Sequence, residues 1–291
     1  MHRVLTALVT PFTELGDVDL DNMAKMVVEQ LDRNCGVVLF GTTGECPTLK
    51  QEERDIIMKE ISDLRRNAND IVIGVGGNNT SECIHNVENA IKYGYSTFMI
   101  TTPYYNKPTP LGLQKHFEAI CRSSPDSKFI LYNVPTRTNV NLLPSTLLNI
   151  TESCNNVIGI KEASGDLGQM MLIRKLCPHL IMYCGDDGLI IPAMSIGAYG
   201  VISVLSNYAP EFVSRIVKYC TDGNYTEALR IHNRVDDLIR LLFTETNPAP
   251  IKYMLKKSGR IESDFVRLPL VPMQNGENKR KIDDYVTGLS D

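Results

Sequence analysis

Short apolar runs alternate with amphipathic stretches along most of the chain. Eight runs predict strands, at 4–9, 37–40, 71–75, 97–101, 129–132, 157–160, 181–183 and 201–204. They are rich in β-branched and aromatic residues, and apolar throughout instead of alternating. That is the pattern of strands covered on both faces. Between them, the stretches 20–34, 50–66 and 81–93 predict helices. Met23, Val27 and Leu31 share one face of the first, and Ile56, Ile57, Ile61 and Leu64 one face of the second. Ile84, Val87 and Ile91 do the same in the third, with charge opposite. Strands alternating with helices imply a parallel α/β architecture, and eight is the number that closes a (β/α)8 TIM barrel, over roughly 220 residues here. A nucleotide-binding doubly wound sheet fits less well. The first run ends in Val9-Thr10-Pro11-Phe12 with no Gly-rich turn. Gly74-Val75-Gly76-Gly77, after the third run, lacks the fingerprint spacing and reads as close backbone packing. The stretches 225–243 and 249–257 carry helical apolar faces, separated by Asn247-Pro248-Ala249-Pro250. Lys279-Arg280-Lys281 against Asp283-Asp284 reads as a solvated face. The organisation expected is a catalytic barrel over 1–224 and a C-terminal helical extension over 225–291.

Composition then removes partners. The 291 residues are 43% hydrophobic and carry a net charge of −4, so there is no basic footprint for nucleic acid. No apolar run approaches the ~18 residues of a membrane span. The first run is cut by Thr10-Pro11, too short for a signal-peptide core, so a cytoplasmic protein is expected. The eight cysteines form no CxxC pair, and the five histidines no HxH or HExxH pair. Buried thiols in a reducing compartment are expected, with neither a metal site nor a disulfide scaffold.

In a barrel, chemistry sits at the C-terminal ends of the strands and in the loops that follow. Gly41-Thr42-Thr43-Gly44-Glu45 follows the second run, and Thr102-Pro103-Tyr104-Tyr105-Asn106 the fourth. Tyr132-Asn133-Val134-Pro135 and Arg137 end the fifth, Lys161-Glu162 the sixth, and Gly185-Asp186-Asp187 follows the seventh. Lys161 directly follows Val157-Ile158-Gly159-Ile160, which aims its amine at the barrel mouth over apolar layers. An isolated buried charge is costly, and an apolar setting favours the neutral, nucleophilic amine. Pairing with Glu162 is the bland alternative, but neighbours on a strand point to opposite faces. Tyr132 reads either as a core tyrosine or as a phenol able to relay protons. Thr42 and Thr43 are a simple loop or a carboxylate site. Arg137 is a surface arginine or a bidentate clamp for a second carboxylate.

Taken with Gly159-Ile160-Lys161-Glu162-Ala163 and Gly200-Val201-Ile202-Ser203-Val204, these segments resemble the class I, Schiff-base pyruvate aldolases of the N-acetylneuraminate lyase superfamily over nearly the whole chain. Thr136-Arg137-Thr138, the paired threonines and the segment 247–252 favour its branch that condenses pyruvate with L-aspartate 4-semialdehyde for lysine and diaminopimelate biosynthesis. The resemblance implies that Lys161 forms an imine with pyruvate and that Tyr132 relays protons. It places Thr43 and, from a neighbouring subunit, Tyr105 beside that tyrosine. Thr42 and Thr43 would hold the pyruvate carboxylate, with the Ile202 carbonyl near the lysine and Arg137 on the carboxylate of the second substrate. No cofactor or metal is implied, because the protonated imine is the electron sink. A homotetramer, a dimer of dimers, is implied as the assembly.

Lysine-inhibited members of the family use a pocket at the dimer interface, and Asn78, Glu82 and Tyr104 match it. Cys46, Pro47, Gln51 and Arg54 depart from the sensitive pattern. Arg54 adds a fixed positive charge beside a cationic ligand, so weak or absent lysine inhibition is expected. A 2-keto sugar acid lyase of the same superfamily, or a barrel without activity, are the competing readings.

Overall fold

The structure, a computed structural model, describes residues 1–288. Eight parallel strands form a closed barrel in chain order. They are β1 Val4–Ala7, β2 Gly36–Leu39, β3 Ile71–Gly74, β4 Thr97–Thr101, β5 Lys128–Asn133, β6 Val157–Glu162, β7 Ile181–Cys184 and β8 Gly200–Ser203. β8 closes on β1 through Leu5 opposite Ile202. All eight apolar runs are strands, seven of them with shifted ends. β1 stops at Ala7 because the Val9 amide donates to the Asn207 side chain, outside the ladder. β6 runs two residues past its apolar run. Lys161 and Glu162 stay in register with Tyr132 and Asn133 on one side, and with Tyr183 and Cys184 on the other.

Two apolar layers hold the sheet. Leu5, Val38, Val72, Met99, Ile130 and Ile202 fill the barrel interior. The opposite strand faces pack against the helix shell, where Val37, Leu39, Ile73 and Phe98 meet residues such as Val27, Ile57, Val87 and Phe117. Side-chain caps start the shell helices. Asp19, Asn79 and Asp166 accept backbone amides at the heads of Leu20–Asp32, Thr80–Lys92 and Leu167–Leu176. Gly74 and Gly76 sit where backbones nearly touch. A Cβ would come within 2.3 Å of the Phe40 carbonyl oxygen at one and of the Thr101 amide at the other. The glycine cluster is close packing, as its spacing suggested.

Beyond the eighth barrel helix, Pro210–Thr221, the 225–243 stretch is not one helix. It divides into Tyr225–Asn233 and Asp236–Leu241. Asp236 and Asp237 occupy the first turn of the second piece, where acidic side chains favour a helix start. The helices Ala249–Lys257 and Gly276–Thr287 follow. Only Ile282 of the last helix is buried, which leaves its basic and acidic residues on a solvated face. Among the described residues, no helix is long and apolar enough to cross a membrane.

Candidate active site

A cavity of about 590 Å³ opens at the C-terminal end of the barrel. Its floor is strand side chain: Ala7, Val38, Met99, Tyr132 and Lys161. Its rim is loop at Thr42, Thr43, Gly185 and Asp186, and a single helical turn, Pro135–Thr138, that carries Arg137. Residues of a parallel ladder that face each other point the same way, so the register Thr101–Tyr132–Lys161–Tyr183 lines these side chains up as one row. Lys161 is 6% exposed, and its Nζ lies 4.4 Å from the centre of the Tyr132 ring. Its aliphatic stem needs the absence of a side chain next door. A Cβ on Gly185 would lie 3.0 Å from Lys161 Cε and 2.5 Å from the Ala163 Cβ. The second aromatic neighbour, Tyr183, is tied off, because its hydroxyl donates to the His2 carbonyl at 2.7 Å. Tyr132 is therefore the tyrosine of that row that lines the cavity beside the amine.

Glu162 confirms the strand geometry. It faces away from the cavity and is buried, and its carboxylate accepts from Asn133 Nδ2, the Ser164 amide and Gln169 Nε2 at 2.8–3.1 Å. No ion pair with Lys161 forms among the described residues. Asp187 is also structural. Its Oδ2 accepts the Val204 and Leu205 amides at 2.9 Å each, and burial pushes its carboxyl above the usual range. Asp186 stays on the cavity wall, and Oδ1 accepts the Gly188 amide.

The Gly41–Glu45 loop is held from beneath and from behind. Thr10 Oγ1 donates to the Gly44 carbonyl at 2.7 Å. Glu45 takes a left-handed conformation, φ +53°, and its buried carboxylate accepts Lys252 Nζ at 2.5 Å and the Arg267 amide at 2.9 Å. Arg267 in turn holds Glu53 below the usual carboxylate range through their hydrogen bond. Thr43 is buried and accepts from Asn247 Nδ2 at 2.9 Å, while Thr42 is half-buried and lines the cavity.

Of the residues read from the sequence, Lys161, Tyr132, Thr42, Thr43 and Arg137 meet around this one cavity. Ile202 is buried in the barrel interior with Tyr132 and Tyr183 and is not among the residues that line the cavity. Tyr105 does not reach the cavity. It is 91% exposed, at φ +70°, and turns away from its own barrel. Asn78, Glu82 and Tyr104 line a second cavity of about 360 Å³ together with Cys46, Pro47 and Arg54. Gly41, Thr42 and Arg137 form part of both walls. There the Arg54 Nη2 donates to the Cys46 carbonyl at 2.8 Å, and burial pushes the Tyr104 phenol and the Cys46 thiol up.

Sequence reasoning missed the contribution of the extension. Asp236, Ile239, Arg240 and Phe243 close one side of the cavity, and Asn247 reaches Thr43. In the sequence Asn247 is punctuation between two helices and part of the segment 247–252 that carries the resemblance, and nothing local marks a polar side chain that bonds 204 residues away. Among the described residues, no group of three or more His, Cys, Asp or Glu side chains is placed to hold a metal ion.

A match to the dihydrodipicolinate synthetase family runs over residues 1–287. A 4-hydroxy-tetrahydrodipicolinate synthase of Endomicrobium trichonymphae is 38% identical over 281 residues, 96% of this chain and 95% of that protein. One from Methanothrix thermoacetophila is 39% identical over 292 residues, 99% of this chain and 97% of that protein. The crystal structure of dihydrodipicolinate synthase from Aquifex aeolicus superposes with a TM-score of 0.94 at 33% identity, over 99% of this chain and 98% of that one. The corresponding structure from Thermotoga maritima gives a TM-score of 0.93 at 34% identity, over 99% of each chain. With the closed eight-stranded barrel and the lysine-bearing cavity at its mouth, these matches establish that the chain belongs to the dihydrodipicolinate synthetase family.

Proposed function

We propose that this chain catalyses the 4-hydroxy-tetrahydrodipicolinate synthase reaction, the condensation of pyruvate with L-aspartate 4-semialdehyde, with Lys161 as the Schiff-base residue. The observation that carries this reading is the amine of Lys161 set 4.4 Å from the Tyr132 ring in a cavity rimmed by two threonines and an arginine.

The chemistry follows from that arrangement. The neutral Lys161 amine adds to C2 of pyruvate, while Thr42 and Thr43 hold the carboxylate. Tyr132 passes a proton to the carbinolamine hydroxyl, which leaves as water and gives the protonated imine. Loss of a C3 proton yields the enamine, whose C3 attacks the aldehyde carbon of the second substrate. Arg137 at the rim receives that substrate's carboxylate. Its amino group then adds to the imine carbon, the Lys161 amine leaves, and the ring closes. The family resemblance assigns the Ile202 carbonyl, on β8, as an acceptor for the lysine during turnover. The exposed Tyr105 acts in trans, completing the relay in a second copy of the chain within a homotetramer. The outward loop and the exposed ring support this role. Eight free thiols, seven of them buried, suit a cytoplasmic setting. In the second cavity, the guanidinium of Arg54 on the same lining as Glu82 supports weak or absent inhibition by L-lysine. Half-inhibition at sub-millimolar lysine would reverse that expectation.

The experiment is borohydride reduction in the presence of pyruvate, read by mass spectrometry. A pyruvate-derived adduct on Lys161 is expected, with turnover on aspartate semialdehyde and none on 2-keto sugar acids. An intact protein with no adduct overturns the reading. An adduct with turnover confined to sugar acids moves the chain to the lyase branch.

A further inference from the structure

Thr43 and Asn247 are both buried on the wall of the main cavity, and Asn247 Nδ2 donates to Thr43 Oγ1 at 2.9 Å. A hydroxyl has one hydrogen and two lone pairs, whereas an amide nitrogen can only donate. The bond therefore fills a lone pair of Thr43 and leaves its hydrogen free for another acceptor. We propose that Asn247 is a positioning residue that fixes the Thr43 hydroxyl as a donor toward pyruvate bound at Lys161, and so sets the direction of hydrogen bonding in the site. The inference rests on the functional reading above.

The loop itself does not need Asn247. Its backbone is anchored by Thr10 on Gly44, and by Lys252 and the Arg267 amide on Glu45. What Asn247 adds is the orientation of one hydroxyl. The other end of the amide shows what this placement costs, since among the described residues the buried Asn247 Oδ1 has no hydrogen-bond partner. The reverse orientation, oxygen toward Thr43, would take the hydroxyl hydrogen out of the cavity. The two orientations predict opposite results for an isosteric acceptor. A carboxylate at 247 captures the Thr43 hydrogen if the amide nitrogen normally faces Thr43, and is nearly neutral if the oxygen does.

The test combines steady-state kinetics with the rate of borohydride-trapped imine formation. Asn247→Ala should lower kcat/KM for pyruvate about tenfold, the scale of one misdirected hydrogen bond, with the KM for aspartate semialdehyde unchanged. Asn247→Asp should lower it further, to a loss of about a hundredfold. In a Thr43→Val background, Asn247→Ala should cost nothing more, because the group it orients is gone. Wild-type kinetics in Asn247→Asp, or losses that multiply in the double variant, would overturn the proposal. Should Asn247→Ala fold poorly, the isosteric Asp variant still decides the polarity. Absence of an adduct in the wild-type protein condemns the functional reading. A wild-type adduct alongside unaffected variants condemns only the role of Asn247.

Discussion

Lys252 and Lys161 are both buried within this catalytic end of the molecule, and their surroundings differ in one respect. Lys252 has no exposed surface, and its ammonium is saturated by Glu45 at 2.5 Å and the Phe265 carbonyl at 2.9 Å, with the Phe12 ring 4.0 Å away. Lys161 is almost as buried, but among the described residues no carboxylate or carbonyl engages its Nζ, and a cavity opens beside it. Burial pushes Lys252 down to about 8, against the pull of Glu45. Even a neutral Lys252 would have no path to a substrate. Burial alone therefore does not separate the two lysines. An unsaturated amine at the wall of a cavity does. His116 is a third case. Nδ1 meets Thr80 Oγ1 at 2.9 Å, the buried Nε2 has no partner among the described residues, and desolvation lowers its pKa to about 4, which keeps the ring neutral.

Five substitutions probe this contrast. Lys161→Met should abolish imine trapping and reduce turnover by about 10⁴-fold or more, since the covalent step goes with the amine. Its melting temperature should hold or rise, because no ion pair is broken. A fall of several degrees would show that Lys161 is structural like Lys252. Lys252→Met should have the reverse signature. Leaving the Glu45 carboxylate buried and unpaired costs about 3–5 kcal/mol, read by urea denaturation. Adding Glu45→Gln should recover most of that loss. If it does not, the lysine stem and not its charge carries the effect. Tyr105→Phe removes a hydroxyl that is exposed in the protomer. About a hundredfold loss of turnover, on the scale of one proton-transfer group, with imine trapping and stability intact, would show that the open side of Lys161 is completed in trans. The smallest effect belongs to His116. Its folded pKa is depressed, so between about 4 and ~6.5 the unfolded chain binds more protons, and stability present above that window is lost as pH falls through it. Going from pH 7 to pH 5, His116→Leu should remove about 2 kcal/mol of the acid destabilisation. An unchanged pH dependence of unfolding would mean that the ring is not held neutral.

Much of the fold was legible because a closed parallel barrel buries both strand faces, so every strand announces itself as a continuous apolar run. The ends were less legible. Lys161 and Glu162 belong to β6 although neither is apolar, since hydrogen-bond register and not hydropathy decides where a ladder stops. The site followed from a positional rule, that polar residues after barrel strands face the mouth. That rule brought together Lys161, Tyr132, Thr42, Thr43 and Arg137. It could not separate Asp186, on the cavity wall, from Asp187, spent on two backbone amides. Nor could it see Asn247 or Lys252, which lie outside the strand–loop repeat and act over more than 200 residues of chain.

The anchoring of Glu45 also has a consequence in time. The last strand ends at Ser203, whereas the groups that hold Glu45 and its neighbour Glu53 stand at 252 and 267. At a synthesis rate of about 5–20 residues per second, a ribosome works for several seconds between finishing the sheet and supplying those groups. Throughout that interval a nascent barrel has Lys161 but only the Thr10 bond on its threonine loop, and carries a Glu45 carboxylate with no lysine to neutralise it. The final portion of the message thus completes the anchoring of that loop, and a chain released early lacks it.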